Sequence, residues 1–346
     1  MAVALAASAA ACGSTPSTIA YLGPIDNDAG TADAADAAPD QQPPPQPTAM
    51  TTTECPSAVL VGSDEASVVR SVSVLGDRAF VASAGTVSAW DVLLGNADAG
   101  GAGPGCPTTR ISSFGTSGQL ALDASSVAAA PGGRAIAATA DGLLVLSATG
   151  GVAGRCQLAG ADIVARSVVM GADGEGVAVF AGSPLYVISS PDPANPGSCT
   201  ASSVAIASDP FAIAAAAPRQ VPQGTYLVTV QQSHASSPLV VAWYDGAGSP
   251  LGTSKAWSAE GQAGHLCSAT GLVATGSAVF VADGACHRLV AFDSTTYAPI
   301  GYATFDGTPR GVAIASTGQA LVAVAAPHDD GATATFWLAS PGATGP

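Results

Sequence analysis

The sequence predicts an all-β fold, a closed ring of four-stranded antiparallel units, and three observations predict it. A short unit recurs along the chain. Its strands are β-branched or Ala-rich and are separated by Gly, Asp, Ser and Pro turns. The copies lie about 40 to 57 residues apart, the size of one four-stranded unit of such a ring. The stretch "GDRAFVASAGTVSAWDV" (76–92) displays the pattern: a polar turn, an apolar strand, a second turn, and a strand ending in Trp90-Asp91. Six copies align on those third-strand endings, at Trp90-Asp91, Leu146-Ser147, Ile188-Ser189, Tyr244-Asp245, Phe292-Asp293 and Leu338-Ala339. The expectation is a six-bladed β-propeller, with seven blades as the alternative if the long fourth copy hides a further degenerate unit.

Taken in order, the chain opens on "MAVALAASAAACGS". Residues 1–12 read as a signal peptide whose small-residue run ends in Cys12, in the manner of a bacterial lipobox, so that the Cys12 thiol takes the lipid. No Lys or Arg precedes the apolar run, and Ala9 stands where Leu is usual; ordinary secretory cleavage is the alternative. Residues 13–53 are rich in Ala, Asp, Pro, Gln and Thr and nearly devoid of bulky apolar side chains, which predicts a disordered tether. Residues 54–346 carry the repeats. Fourth strands are expected at "CPTTRISSF" (106), "CQLAGADIV" (156) and "CTASSVAIA" (199). The last copy has none after it, whereas "CPSAVLVG" (55–62) precedes the first copy and looks like the others. The N-terminal strand is therefore expected to complete the last blade and leave no open edge.

Copy six, "PRGVAIASTGQALVAVAAPHDDGATATFWLA", resembles the NHL and YVTN class of repeats, whose units run Pro-x-Gly-Val-Ala and then a Gly turn. The resemblance extends over residues 54 to 340 and implies a bacterial propeller lipoprotein; its motifs are degenerate and speak for the propeller more than for any one family.

Composition narrows the function. The formal charge is −15, from 25 acidic against 10 basic residues, which excludes nucleic acid as the natural partner because a polyanion needs clustered Lys and Arg. Beyond the N-terminus no run of 18 or more apolar residues suits a membrane-spanning helix, so membrane contact is expected only through the N-terminal lipid. Seven cysteines, six of them after Cys12, suggest disulfides in an oxidising compartment. Cys267 and Cys286 fall on one face of one blade and are expected to pair. Cys55, Cys106, Cys156 and Cys199 all open fourth strands, and equivalent positions on neighbouring blades are expected to lie beyond the ~7 Å Cα limit for a bridge.

His265, Cys267, Cys286 and His287 invite a zinc reading. The spacing lacks Cys-x2-Cys and the compartment is oxidising, so a disulfide with two incidental histidines is preferred, and no metal is expected. Motifs for haem, for phosphate loops, for an EF-hand and for a nucleophile elbow are absent, so no cofactor is expected either. The acidic turns "GADGEG" (171–176) and "PHDDGA" (327–332) read as solvated hairpins, and Glu54, Glu65, Glu175 and Glu260 are too scattered to form a catalytic pair. One register stands out. Arg70, Arg166 and Arg310 each precede the first strand of a blade, at the expected mouth of the central channel, with Phe211 in the equivalent place of copy four. Three guanidiniums there suit a small anionic ligand, unless each pairs with an acid of an adjacent loop. The expected function is a binding or scaffold module at the cell envelope, a monomer that recognises a protein or glycan there or a small anion. It is expected at the outer membrane or cell surface, or else as a periplasmic or secreted protein. The alternative is an exported lyase- or hydrolase-type enzyme with its site at the channel mouth.

Overall fold

The computed structural model describes residues 47–94, 104–158, 161–162, 164–171, 175–179, 185–189, 198–206, 212–221, 224–254, 264–329 and 331–341. The signal region, Cys12, Phe211, Glu260 and most of the tether lie outside the described residues. Two strands come first, β1 (Thr48–Ala49) and β2 (Thr51–Gly62), followed by the short helix α1 (Glu65–Val68). The first meander is β3 (Ser71–Leu75), β4 (Arg78–Ser83), β5 (Thr86–Val92) and β6 (Pro107–Arg110), with β7 (Gln119–Ala121) also on β5. The second is β8 (Ala124–Ala130), β9 (Arg134–Thr139), β10 (Gly142–Leu146) and β11 (Val152–Leu158), with β12 (Ala161–Asp162) on β11. The third is β13 (Ser167–Met170), β14 (Glu175–Val179), β15 (Leu185–Ser189) and β16 (Ser198–Val204). The fourth is β17 (Ala212–Val221), β18 (Gly224–Gln232), β19 (Val240–Tyr244) and β20 (Pro250–Thr253). The fifth is β21 (Gly271–Ala274), β22 (Ala278–Asp283), β23 (Arg288–Asp293) and β24 (Pro299–Thr304), and β1 lies parallel to β24. The last is β25 (Thr308–Ile314), β26 (Ala320–His328) and β27 (Gly331–Ser340), and β2 pairs antiparallel with β27 as its outermost strand.

The hairpins follow from local chemistry. Leu75 and Arg78 pair directly across a two-residue loop, and Gly76 at its first position has φ +63°, the conformation a type II′ turn requires. Alternating small and branched side chains let the sheets stack closely. Apolar clusters fill every seam between successive meanders: Phe80, Phe114 and Leu146 between the first and second, Phe292 and Trp243 between the fourth and fifth. The seam between β25–β27 and the first meander closes the ring, with Phe336, Leu338, Val72 and Trp90 buried in it.

Three expectations need correction. Counted as continuous hydrogen-bonded sheets, the propeller has five blades, not six or seven. The second and third meanders merge into one nine-stranded sheet because β11 and β16 pair in parallel, Arg155 to Gln157 against Ser198 to Thr200. The long fourth copy makes one four-stranded sheet with two extended strands rather than two units. Second, the folded chain starts before residue 54. Thr48–Ala49 and Thr51 to Thr53 are already in strands, Met50 between them is buried, and its N–H donates to the Tyr302 carbonyl at 2.8 Å. Third, the four cysteines that open outer strands do pair between neighbours. Cys55 bridges Cys106 with Cα atoms 5.5 Å apart, and Cys156 bridges Cys199 at 5.0 Å. Outer strands of adjacent meanders draw together two by two, β2 against β6 and β11 against β16, instead of splaying evenly.

Candidate functional site

The six innermost strands, β3, β8, β13, β17, β21 and β25, stand each against the next around the axis. They enclose a central cavity of about 400 Å³, within the usual size of a ligand pocket. An innermost strand turns one backbone edge toward the channel, and its N–H and C=O groups need partners there. Hydroxyl side chains supply several. Ser71 Oγ accepts from the Val127 N–H and Ser73 Oγ from the Ala129 N–H, both at 2.9 Å, so that β3 clasps β8 at alternate residues. Ser126 Oγ accepts from the Val168 N–H at 3.3 Å and donates to its carbonyl at 3.2 Å, joining β8 to β13. Thr270 Oγ1 donates to the Pro309 carbonyl at 2.6 Å, joining the edge of β21 to β25.

Glycine sets the tightest contact. A Cβ on Gly311 would lie 2.8 Å from the Val72 nitrogen and 3.1 Å from the Ser71 Cα. The Pro-x-Gly-Val-Ala run of copy six therefore has a physical reason: only Gly lets β25 approach β3 this closely. Three inner strands also carry a bulge near their start, at Ser125 in β8, Ala214 in β17 and Arg310 in β25. Ala214 is exposed and lines the cavity. The described lining is divided between the serine and threonine hydroxyls and short apolar side chains such as Val72, Ala216, Leu272 and Val312, and none of these groups titrates.

The predicted arginines all stand at the starts of inner strands, outside the cavity lining. Arg70 pairs with Asp123 at 2.6 Å and also donates to the Ala124 carbonyl at 3.1 Å. The Gly85 N–H and then the Arg70 guanidinium hold the Asp123 carboxyl below its ordinary range. Arg310 lies 3.7 Å from Glu65, whose carboxylate also accepts from Thr308 at 2.7 Å. Arg166 is exposed.

Cys267 and Cys286 are bridged, with Cα atoms 5.7 Å apart. Between them sits a residue the sequence reading passed over. Asp283 is fully buried and accepts from the Cys267 N–H at 3.1 Å, the Ser268 N–H at 2.8 Å and Arg288 Nε at 3.3 Å. Arg288 also donates to the His265 carbonyl. This buried ion pair locks the loop before β21. His287 is exposed with φ +52° in the turn after Cys286. Cys267, Cys286 and Asp283 are close enough to share an ion, but both thiols are consumed by the bridge.

Together these features define an all-β propeller with four-stranded antiparallel meanders, closed by its own N-terminal strand and stapled by three disulfides. No protein-family model matches the chain. No curated protein matches it either. Among solved structures it is similar to a regucalcin, a calcium-binding protein from Agrobacterium tumefaciens, at 15% identity and TM-score 0.49, covering 81% of this chain and 93% of that one. It is also similar to hydrazine synthase of Kuenenia stuttgartiensis, at 10% identity and TM-score 0.46, covering 78% and 95%. A third likeness is to the Swd1 propeller domain of Myceliophteria thermophila, at 9% identity and TM-score 0.45, covering 83% and 99%. At these levels the likenesses carry no function, and the fold rests on the topology above.

Proposed function

We propose that this chain is an exported, lipid-anchored propeller that binds a small, uncharged molecule in its central channel at the cell envelope. The single observation that carries the reading is the cavity of about 400 Å³, whose described lining interleaves serine and threonine hydroxyls with short apolar side chains around the ring. The hydroxyls give such a ligand orientation, and the aliphatic side chains between them give it burial. Two of the three rim guanidiniums are engaged by Asp123 and Glu65, which favours a neutral ligand over the small anion expected at the mouth. The described lining holds no titratable group, which favours binding over the lyase- or hydrolase-type alternative, whose proton transfers need such a group beside the substrate. Three disulfides support an oxidising address, and Cys12 supports the anchor, with the kinship to NHL and YVTN propellers resting on Pro309 to Ala313.

The test is a thermal-shift screen of neutral metabolites on the full chain, run beside Ala214→Trp. Ala214 is bulged out of the ladder, so a large side chain there fills the channel without breaking strand pairs. The expected result is a ligand that raises the melting temperature of the parent and not of Ala214→Trp. Equal shifts in both remove the channel as the site. Loss of fatty-acid labelling in Cys12→Ala tests the anchor.

A further inference from the structure

A second concavity, of about 180 Å³, lies off the axis where the closing sheet meets the first meander. Its composition follows from register. Ser83 is opposite Thr86, Ser88 is opposite Gln119, and Trp90 is opposite Arg110. Directly opposed residues share a face of the sheet, so this whole row projects into the seam, toward Val61, Gly62 and Ser67. The matching positions nearest the strand ends are apolar in two other meanders, Leu144 and Leu146 on β10 and Val290 and Phe292 on β23, and the one charged pair in the β23 row, Arg288 with Asp283, is closed on itself. In the first meander the row is polar and includes the buried Ser88.

The arrangement presents one guanidinium. Trp90 is held by its indole N–H, which donates to Ser88 Oγ at 2.9 Å, and the Arg110 guanidinium lies 5.0 Å from the centre of that ring. Arg70, Arg288 and Arg310 each have a carboxylate partner, whereas Arg110 forms no ion pair among the described residues. Arg78 likewise has no carboxylate partner among the described residues, but its guanidinium donates to the Gly133 and Ala148 carbonyls, whereas that of Arg110 faces the concavity. Thr86 and Gln119 keep side-chain polar groups beside it.

We propose that this seam pocket binds a small polyhydroxylated carboxylate, of the sugar-acid class. The guanidinium fork matches a carboxylate, and the surrounding hydroxyls and amide match a hydroxylated chain or ring. One positive charge balances a monoanion. The ligand touches both the closing strand and the first meander, so it clamps the ring at the seam between the closing sheet and the first meander. This site is independent of the channel.

The experiment is calorimetric titration of the full oxidised chain with glucuronate and gluconate, against glucose, acetate and phosphate. The sugar acids should bind; glucose, which lacks the carboxylate, should be weaker by about tenfold, the worth of one lost charge-assisted bond, and acetate and phosphate, which lack the hydroxylated chain, should also be weaker. Arg110→Gln should weaken glucuronate by at least about tenfold, and Thr86→Val, which keeps the charge, should weaken it less. Ala214→Trp should bind glucuronate like the parent. The proposal is overturned if the parent fails to bind sugar acids, if glucose binds as well as glucuronate, or if the channel variant alone loses binding. It is also overturned if Arg110→Gln, checked for folding by near-ultraviolet circular dichroism, binds as the parent does. Should that variant not fold, Thr86→Val decides, and parent-like binding by it overturns the proposal.

Discussion

Three tryptophans show how one neighbouring side chain decides whether a buried polar group is satisfied. Trp90 and Trp337 each donate the indole N–H to the hydroxyl two residues back, Ser88 at 2.9 Å and Thr335 at 3.0 Å. Trp243 has Val241 in that place, and its indole nitrogen is buried without a partner among the described residues. A buried donor left unmade costs about 1–3 kcal/mol. Val241→Thr should therefore be neutral or stabilising by up to about 1 kcal/mol, whereas Val228→Thr in the same cluster should cost about 1–2 kcal/mol. Urea unfolding of the two variants tests the contrast. Charge at this scale also predicts a pH response. The Ser67 N–H lowers the Asp64 carboxyl and the Gly85 N–H lowers that of Asp123, both from an ordinary value of 3.8. Their contribution to stability is complete above that value and is lost as pH falls through the lower folded-state values. The melting temperature should drop below about pH 4, and Asp123→Asn should flatten that drop; a parent-like acid slope in the variant would sink the assignment. Little of this was legible beforehand. The arginine register was visible, but its partners Asp123 and Glu65 come from other segments, and no local pattern marks Asp283 as buried.

At the scale of the element, turn chemistry and repeat length made most of the strands legible. The pairing of outer strands was not. An evenly splayed ring leaves equivalent cysteines far apart, and nothing in the period of the sequence announces that β11 leans onto β16. The four Cys-led strands were nevertheless the signal: cysteine recurs at the one place where neighbouring outer strands could meet. Closing a loop of 43 residues by a bridge is worth about 4 kcal/mol in the chain-entropy account. Cys156→Ser with Cys199→Ser should lose a substantial part of that, read by denaturant unfolding under oxidising conditions. Hydrogen exchange should rise first at the parallel pairs around 155–157 and 198–200. Protection unchanged at those amides would mean that backbone pairing alone holds the double sheet.

For the whole molecule, closure was legible because the last copy lacks a fourth strand and the segment 55–62 supplies one. Thr51 lies directly opposite Ser340 in that closing pair. A short linker can thus turn β27 and β2 into an ordinary hairpin. A circular permutant that starts at Ser63 and ends Ser340–linker–Thr51 to Gly62 should fold to the same ring, with near-parental circular dichroism and melting behaviour. A parent chain lacking residues 47–62 should instead expose β27 as a bare edge and aggregate. Failure of the permutant, with the deletion well behaved, would show that β2 is an accessory and not the closure.

The same pairing has a mechanical side. A pull on the N-terminal segment acts on β2 from its Thr51 end, the geometry of a zipper opened one rung at a time. Five residues in, the zipper meets Cys55, tied covalently to Cys106 in the first meander. The tear stops there, and Leu60 to Gly62 stay paired with β27. A domain hung by this end would yield only its first few residues to tension while the ring behind the staple stays shut.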